Sequence, residues 1–342
     1  MVDKASLLAD PEWLAHRYDE ATDSFRFVRA NRQAHRAATF LTDEHLADTD
    51  DFVAVPRSAI DRTALAQAPL HFVFHSAYCC STLVARMFDL EGTVMGLKEP
   101  VLLNDMVGWR RRGADTQKLA DVLDLSLALL SRPFGNDGHV VLKPSSIVNA
   151  IAPALLGIRP KAQALLLYAP IGDFLSSIAV KGLWGRKWVR TSLIGQAKDN
   201  ALSHRFTTEQ LLELTDLQAA GLGWLSHLAI FTRMQAKYGS DRVAICDSAS
   251  LLREPLETTL AFYSHFKIAI DDKQADEVAQ GEAFTRNSKD RSEYSASQRR
   301  EQLDQTRASN REEIEMVAEW VRRLAADIGI DSEPGPDLEL FF

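Results

Sequence analysis

Residues 70–88, LHFVFHSAYCCSTLVARMF, constrain this chain more than any other stretch. An apolar run over 70–74 gives way to the small and polar residues 75–80, and then to two hydroxyl residues, Ser81 and Thr82. Leu83, Val84, Met87 and Phe88 follow at i, i+1, i+4 and i+5, one face of a helix. The pattern predicts a strand, a tight loop and a helix start. The first N–H groups of a helix lack internal partners, and the helix dipole is positive at that end. The loop is therefore expected to hold an anion, with Ser76, Ala77, Tyr78, Cys79, Cys80, Ser81 and Thr82 as the binding residues. It is not a regular phosphate loop of the GxxxxGK[ST] type. Aligned on Thr82, the chain has His75 and Cys80 at the glycine positions and Ser81 at the lysine position. The plain alternative is a strand-to-helix turn capped by Ser81.

From residue 70 onward, short apolar runs alternate with amphipathic segments. Strands are expected over 70–74, 93–98, 139–143, 164–168 and 242–246. Helices are expected over 116–131, 207–237 and 255–266, each with a leucine-rich stripe at helical spacing. This alternation predicts an α/β fold: a three-layer sandwich around a central parallel sheet. The reading divides the chain into a helical or extended extension (1–68), an α/β core (69–283), and a charged loop with a last helix packed on the core (284–342). Segment 284–311 is nearly free of large apolar side chains and cannot build a core of its own. Ile314, Val317, Val321 and Leu324 mark the last helix. The ELFF tail offers aromatics to the protein's own surface or to a second copy in a homodimer. In the extension, His35 and Arg36 are expected at the surface.

Of the 342 residues, 46% are hydrophobic and 25% charged, ordinary globular values. No apolar run approaches the roughly 18 residues of a membrane span. The start has early acidic residues and no apolar h-region, so no secretory signal is expected. Three cysteines suggest no disulfide framework, and no Cys/His spacing resembles a zinc site, so no metal is expected. These features together predict a reducing, cytoplasmic setting. A net charge of −8 argues against general nucleic-acid binding. The Arg110-Arg111-Arg112 run is a local exception, most simply a solvated helix end.

In parallel sheets ligands bind beyond the carboxyl ends of the strands, and the polar residues of this chain collect there. Two strand ends carry lysine near proline: Lys98-Glu99-Pro100 and Lys143-Pro144. Lysine is uncommon in a buried strand. Either lysine would supply the charge the loop lacks and stabilise negative charge on a transferred group. The alternative is that both snorkel to solvent. Glu99 reads as a general base or simply as Lys98's neighbour. Beyond the fourth strand, Ser176 and Ser177 precede KGLWGRKWVR (181–190), with four cations and two tryptophans. Arginine forks suit phosphate and indole faces suit nucleobases.

In this order the pieces resemble the sulfotransferase family. Residues 77–83, AYCCSTL, are similar to the family's PxSGTTxL loop in the hydroxyls and the following leucine. Pro170, Asp173 and Ser176 or Ser177 match its 3′-phosphate segment, residues 247–260 its E-D-L-x-x-D-P-x-x-x-L helix entry, and 284–289 its basic C-terminal loop. The resemblance implies a P-loop-related fold using 3′-phosphoadenosine 5′-phosphosulfate (PAPS), with PAP as product. It implies Ser176 and Ser177 as further donor-binding residues, with Arg186 and Lys289 as replacement cations. No residue matches the family's catalytic histidine, although Lys143 lies in the corresponding stretch, so the catalytic candidates come from the strand ends: Lys143 with Lys98 for charge, and Glu99 or His75 as base. Tyr78 stands where the family has a basic residue, Cys80 where it has glycine, and Tyr168 where it has the arginine for the 3′-phosphate. The expected function is sulfuryl transfer to a hydroxyl or amine of a small-molecule or peptide acceptor. The alternatives are a nucleoside-triphosphate-dependent phosphotransferase, with Thr82 and Asp247 as metal ligands, and a non-catalytic nucleotide-binding or scaffold protein.

Overall fold

The computed structural model describes residues 3–199, 205–281, 284, 301, 305 and 308–334. Lys289 and the ELFF tail lie outside them.

After α1 (Lys4–Ala9), the strands β1 (Trp13–Asp19), β2 (Ser24–Arg29) and β3 (Val53–Pro56) form an antiparallel sheet in the order β1-β2-β3. The extended part of 1–68 is thus a small sheet, with α2 (Arg32–Ala37) between its last two strands. Phe25 and Phe27 are buried while Arg26 between them points outward, the period-two pattern of a half-buried strand. Arg132, buried in the core, donates to the carbonyls of Leu7, Leu8, Asp10 and Trp13 and so ties this end of the chain down. His35, expected at the surface, is buried with its ring 5.1 Å from that of Phe134. Burial pushes its pKa down to about 3.

Five strands build the core: β4 (Leu70–His75), β5 (Val94–Lys98), β6 (His139–Lys143), β7 (Ala164–Tyr168) and β8 (Val243–Asp247). Every pairing is parallel, in the order β5-β6-β4-β7-β8. Phe72–Phe74, Val140–Leu142 and Leu165–Leu167 are inaccessible to solvent, as runs buried on both faces of a parallel sheet must be. Helices flank the sheet. They are α3 (Ser81–Met87) after β4; α4 (Val101–Arg111) and α5 (Thr116–Leu130) after β5; α6 (Ala152–Ile158) after β6; α7 (Ile171–Val180) and α8 (Gly182–Lys198) after β7. Then α9 (Thr208–Glu213) and α10 (Asp216–Tyr238) precede β8. The one helix expected over 207–237 is therefore two, because Thr215 and Gln218 close a capping box that starts α10 afresh. Beyond β8 come α11 (Ser248–Arg253), α12 (Pro255–His265), α13 (Asp272–Ala279) and α14 (Arg311–Asp327).

Two glycines set close approaches. A Cβ on Gly96 of β5 would lie 2.2 Å from the Ala85 carbonyl oxygen, so strand and α3 meet backbone to backbone. One on Gly221 of α10 would lie 2.5 Å from Val321 Cγ2, where α14 packs. No helix among the described residues is long and apolar enough to cross a membrane.

Strand order locates the ligand crevice. From β4 the chain moves to β5, returns to β6 beside β4, and then crosses to β7 on the other flank of β4. The order reverses around β4, and open α/β sheets bind ligands beyond the carboxyl ends at such a point. The loop after His75 leaves the sheet there.

Candidate functional site

The loop between β4 and α3 is strained. Ala77, Tyr78 and Cys80 all have positive φ (69°, 54° and 59°), a region that costs non-glycine residues energy. Such strain persists only where the surroundings hold it. Ser76 donates its N–H to the Leu167 carbonyl (3.0 Å), and Ala77 donates to His75 Nδ1 (3.0 Å). Cys79 is fully buried, its thiol 3.4 Å from the Leu167 carbonyl and its pKa pushed up to about 11 by burial, so it is a core residue and not a nucleophile. The Tyr78 ring packs edge-on against Trp188 (5.3 Å) and near Phe174 (6.1 Å), and burial raises its pKa to about 12. Ser81 and Thr82 form the first turn of α3 and are buried. The sequence-predicted loop residues 76–82 therefore lie together at the mouth of β4.

Beside them stand Lys143 and Glu99. Lys143 is 1% exposed, and its ammonium forms an ion pair with the Glu99 carboxylate, whose side chain is 17% exposed. Phe40 roofs the ammonium, 5.2 Å from its ring centre. Glu99 follows β5 in a left-handed conformation (φ 51°) immediately before Pro100, where extended backbone is the norm. Its N–H donates to the Lys143 carbonyl (2.7 Å), which locks the two strand ends together. His75 Nε2 lies 3.9 Å from the same carboxylate. Its ring is oriented by the backbone. Nδ1 accepts from Ala77, so the ring proton sits on Nε2 and donates to the Pro144 carbonyl (3.1 Å). The buried centre thus holds one ammonium, one carboxylate and a neutral, oriented imidazole.

Not every predicted residue joins this centre. Lys98 is the ladder partner of Lys143, yet its ammonium donates to the carbonyls of Ala38 (2.6 Å) and Arg36 (3.3 Å). It holds the turn after α2. Ser176 donates its hydroxyl to Gly172 of its own helix (2.6 Å). Ser177 is buried in α7. Arg186 lies between Asp216 (3.7 Å) and Glu313 (3.8 Å). Tyr168 donates to the Pro334 carbonyl (2.6 Å), so the C-terminal segment covers the end of β7 where the resemblance places an arginine.

His227 joins these residues without any motif to mark it in the sequence. Its Nδ1 accepts from Asn149, which also donates to the His75 carbonyl (2.9 Å), and its Nε2 faces the Gln196 amide (3.0 Å). Burial pushes its pKa down to about 4, so it is a neutral bridge from α10 to the end of β4. A lone histidine on an apolar helix gives no local sign of this.

No family model matches the chain, and no curated protein matches it. Among solved structures it is similar to the sulfotransferase domain from the curacin biosynthetic pathway: 12% identity over 78% of this chain and 99% of that one, TM-score 0.44. Sulfotransferase STF9 from Mycobacterium avium is similar at 10% identity over 72% and 78%, TM-score 0.43. The sulfotransferase domain of the Synechococcus PCC 7002 olefin synthase is similar at 11% over 74% and 95%, TM-score 0.41. Likeness at this level says nothing of donor or acceptor.

Proposed function

We propose that the chain is a group-transfer enzyme of the sulfotransferase kind, moving a sulfuryl group from a phosphoadenosine-type donor to a hydroxyl or amine. The observation that carries the reading is the Lys143–Glu99 pair, buried beside the strained loop where the strand order reverses. In this reading the α3 amides with Ser81 and Thr82 receive the donor's 5′-phosphate. Lys143 offsets charge on the bridging oxygen as its bond to sulfur breaks and the acceptor oxygen or nitrogen bonds to sulfur. Glu99 takes the acceptor's proton. His75, with both ring nitrogens engaged by backbone, holds the loop and is not the base in this reading.

The 3′-phosphate end fits less well. Tyr168 replaces the expected arginine and is occupied by Pro334, and Ser176 by its own helix. The donor is therefore expected to be gripped through its 5′ end. The test is calorimetric titration with PAP, AMP and ATP plus Mg²⁺ in parallel. Micromolar PAP binding, less than tenfold tighter than AMP, is expected. ATP binding with silence toward PAP moves the reading to a phosphotransferase. Silence toward all three overturns it.

A further inference from the structure

A cavity of about 490 Å³ lies between the 3-10 turn Ser146–Ile151, α8 and α10, outside the Lys143–Glu99 centre. That volume suits a small organic molecule. We propose that it is a binding site for an amphiphilic anion: an aromatic or aliphatic body carrying one carboxylate, sulfonate or phosphate. The inference goes beyond the transfer reading and stands on the cavity alone.

Three features of the wall carry it. The body of the cavity is apolar, with Ile147, Trp188, Ile230 and Met234 on its wall. The charge is positive: Arg111, Arg233 and Lys237 line it, against Asp199 as the one carboxylate. Asp199 pairs with Arg110 (2.8 Å) and with Arg111 itself (2.5 Å), which leaves Arg233 and Lys237 as the charges that face an occupant. Arg233 and Lys237 stand one turn apart on α10, a like-charge spacing that helices disfavour and that an anion between them would relieve. In a chain of net charge −8 this wall is locally basic. The inner end is uncharged and polar. His227 and Ser226 are buried there, His227 neutral and the Ser226 hydroxyl donating to the Leu222 carbonyl (2.9 Å), while Ser192 stands half-buried on the wall. A cation would meet repulsion at the rim, and a wholly polar ligand would leave the apolar wall dry and unmatched. An amphiphilic anion satisfies both.

The cavity also touches the loop. Trp188 lines it and packs edge-on against Tyr78, and Asn149 lines it while donating to the His75 carbonyl. An occupant is therefore sensed at the loop, and Trp188 is a built-in reporter.

The experiment titrates the full chain with 8-anilinonaphthalene-1-sulfonate, an aromatic sulfonate, reading its emission and energy transfer from tryptophan. One saturable site per chain is expected. The surface variant Arg233→Ala/Lys237→Ala should weaken binding about tenfold at low salt, with the loss shrinking at high salt. Ile230→Trp, which fills the cavity, should abolish it with an unchanged far-ultraviolet dichroism spectrum. Non-saturating binding, or affinity unchanged in Arg233→Ala/Lys237→Ala, overturns the proposal without bearing on PAP binding.

Discussion

Lys143→Met separates a structural lysine from one that meets a transferred group. The substitution keeps an unbranched apolar side chain and deletes the ammonium that faces Phe40. Glu99 is then left without its partner. Stranding one member of a fully buried pair costs about 3–5 kcal/mol. The Glu99 side chain is 17% exposed and can recruit water, so a loss of about 2–3 kcal/mol is expected. Lys143→Met/Glu99→Gln removes the stranded charge as well, and should recover about half of that loss, since an uncharged pair of similar volume is often as stable. Urea unfolding followed by circular dichroism reads both, with the slope checked for constancy. PAP calorimetry on the same preparations reads the site. The transfer mechanism expects about half of the lost stability to return in the double variant while PAP binding stays at least tenfold weakened. Stability and PAP binding returning together make the pair a structural clamp and refute the catalytic argument. A single variant within about 0.5 kcal/mol of the parent refutes the burial argument itself.

Two further outcomes follow from buried polar groups. Arg132→Met should cost about 3–5 kcal/mol and expose residues 3–30 to limited proteolysis, because the guanidinium satisfies carbonyls of four residues near the chain's start; Arg132→Lys should recover less than half, since an ammonium cannot reproduce the planar fork. His35 and His71 have pKa values pushed down to about 3, and His227 to about 4, chiefly by burial, with His139, His265 and Lys267 adding positive charge around His71. Their unfolded values lie near 6.5, so the unfolded chain binds protons first and stability falls as pH drops below 6.5, by up to about 1.4 kcal/mol per group per pH unit. The urea midpoint measured from pH 7 to 4.5 should show this, and His71→Phe, placed against Phe266, should flatten the slope; a slope unchanged in that variant removes His71 from the account.

The core strands were legible because burial on both faces leaves short apolar runs bounded by polar and turn residues, without the helical stripe of the segments between them. His139–Lys143 and Ala164–Tyr168 match the sequence reading to the residue, and β5 and β8 differ from it by a residue at their ends. The break at Thr215 was also written locally, as T-x-x-Q capping signals that the leucine stripe masked. The sheet in 1–68 was harder to see, because its strands alternate and carry arginines on their outer faces. His35 was misplaced because a short polar helix gives no sign of the Phe134 ring that covers it.

The sequence by itself determined the alternation that makes a parallel sheet, the strand-loop-helix unit at 70–88, and the gathering of lysines at strand ends. Local pattern suffices there, since side-chain period and capping chemistry act within a few residues. Which lysine faces what was decided only by the tertiary structure. Lys98 and Lys143 pair in register at the ends of neighbouring strands, yet one ends on backbone carbonyls after α2 and the other on Glu99. The cavity between α8 and α10 is likewise absent from any single stretch, since its walls come from residues 111–238. A buried charge must find a partner, and the partner available is fixed by how distant segments pack, which no local pattern encodes.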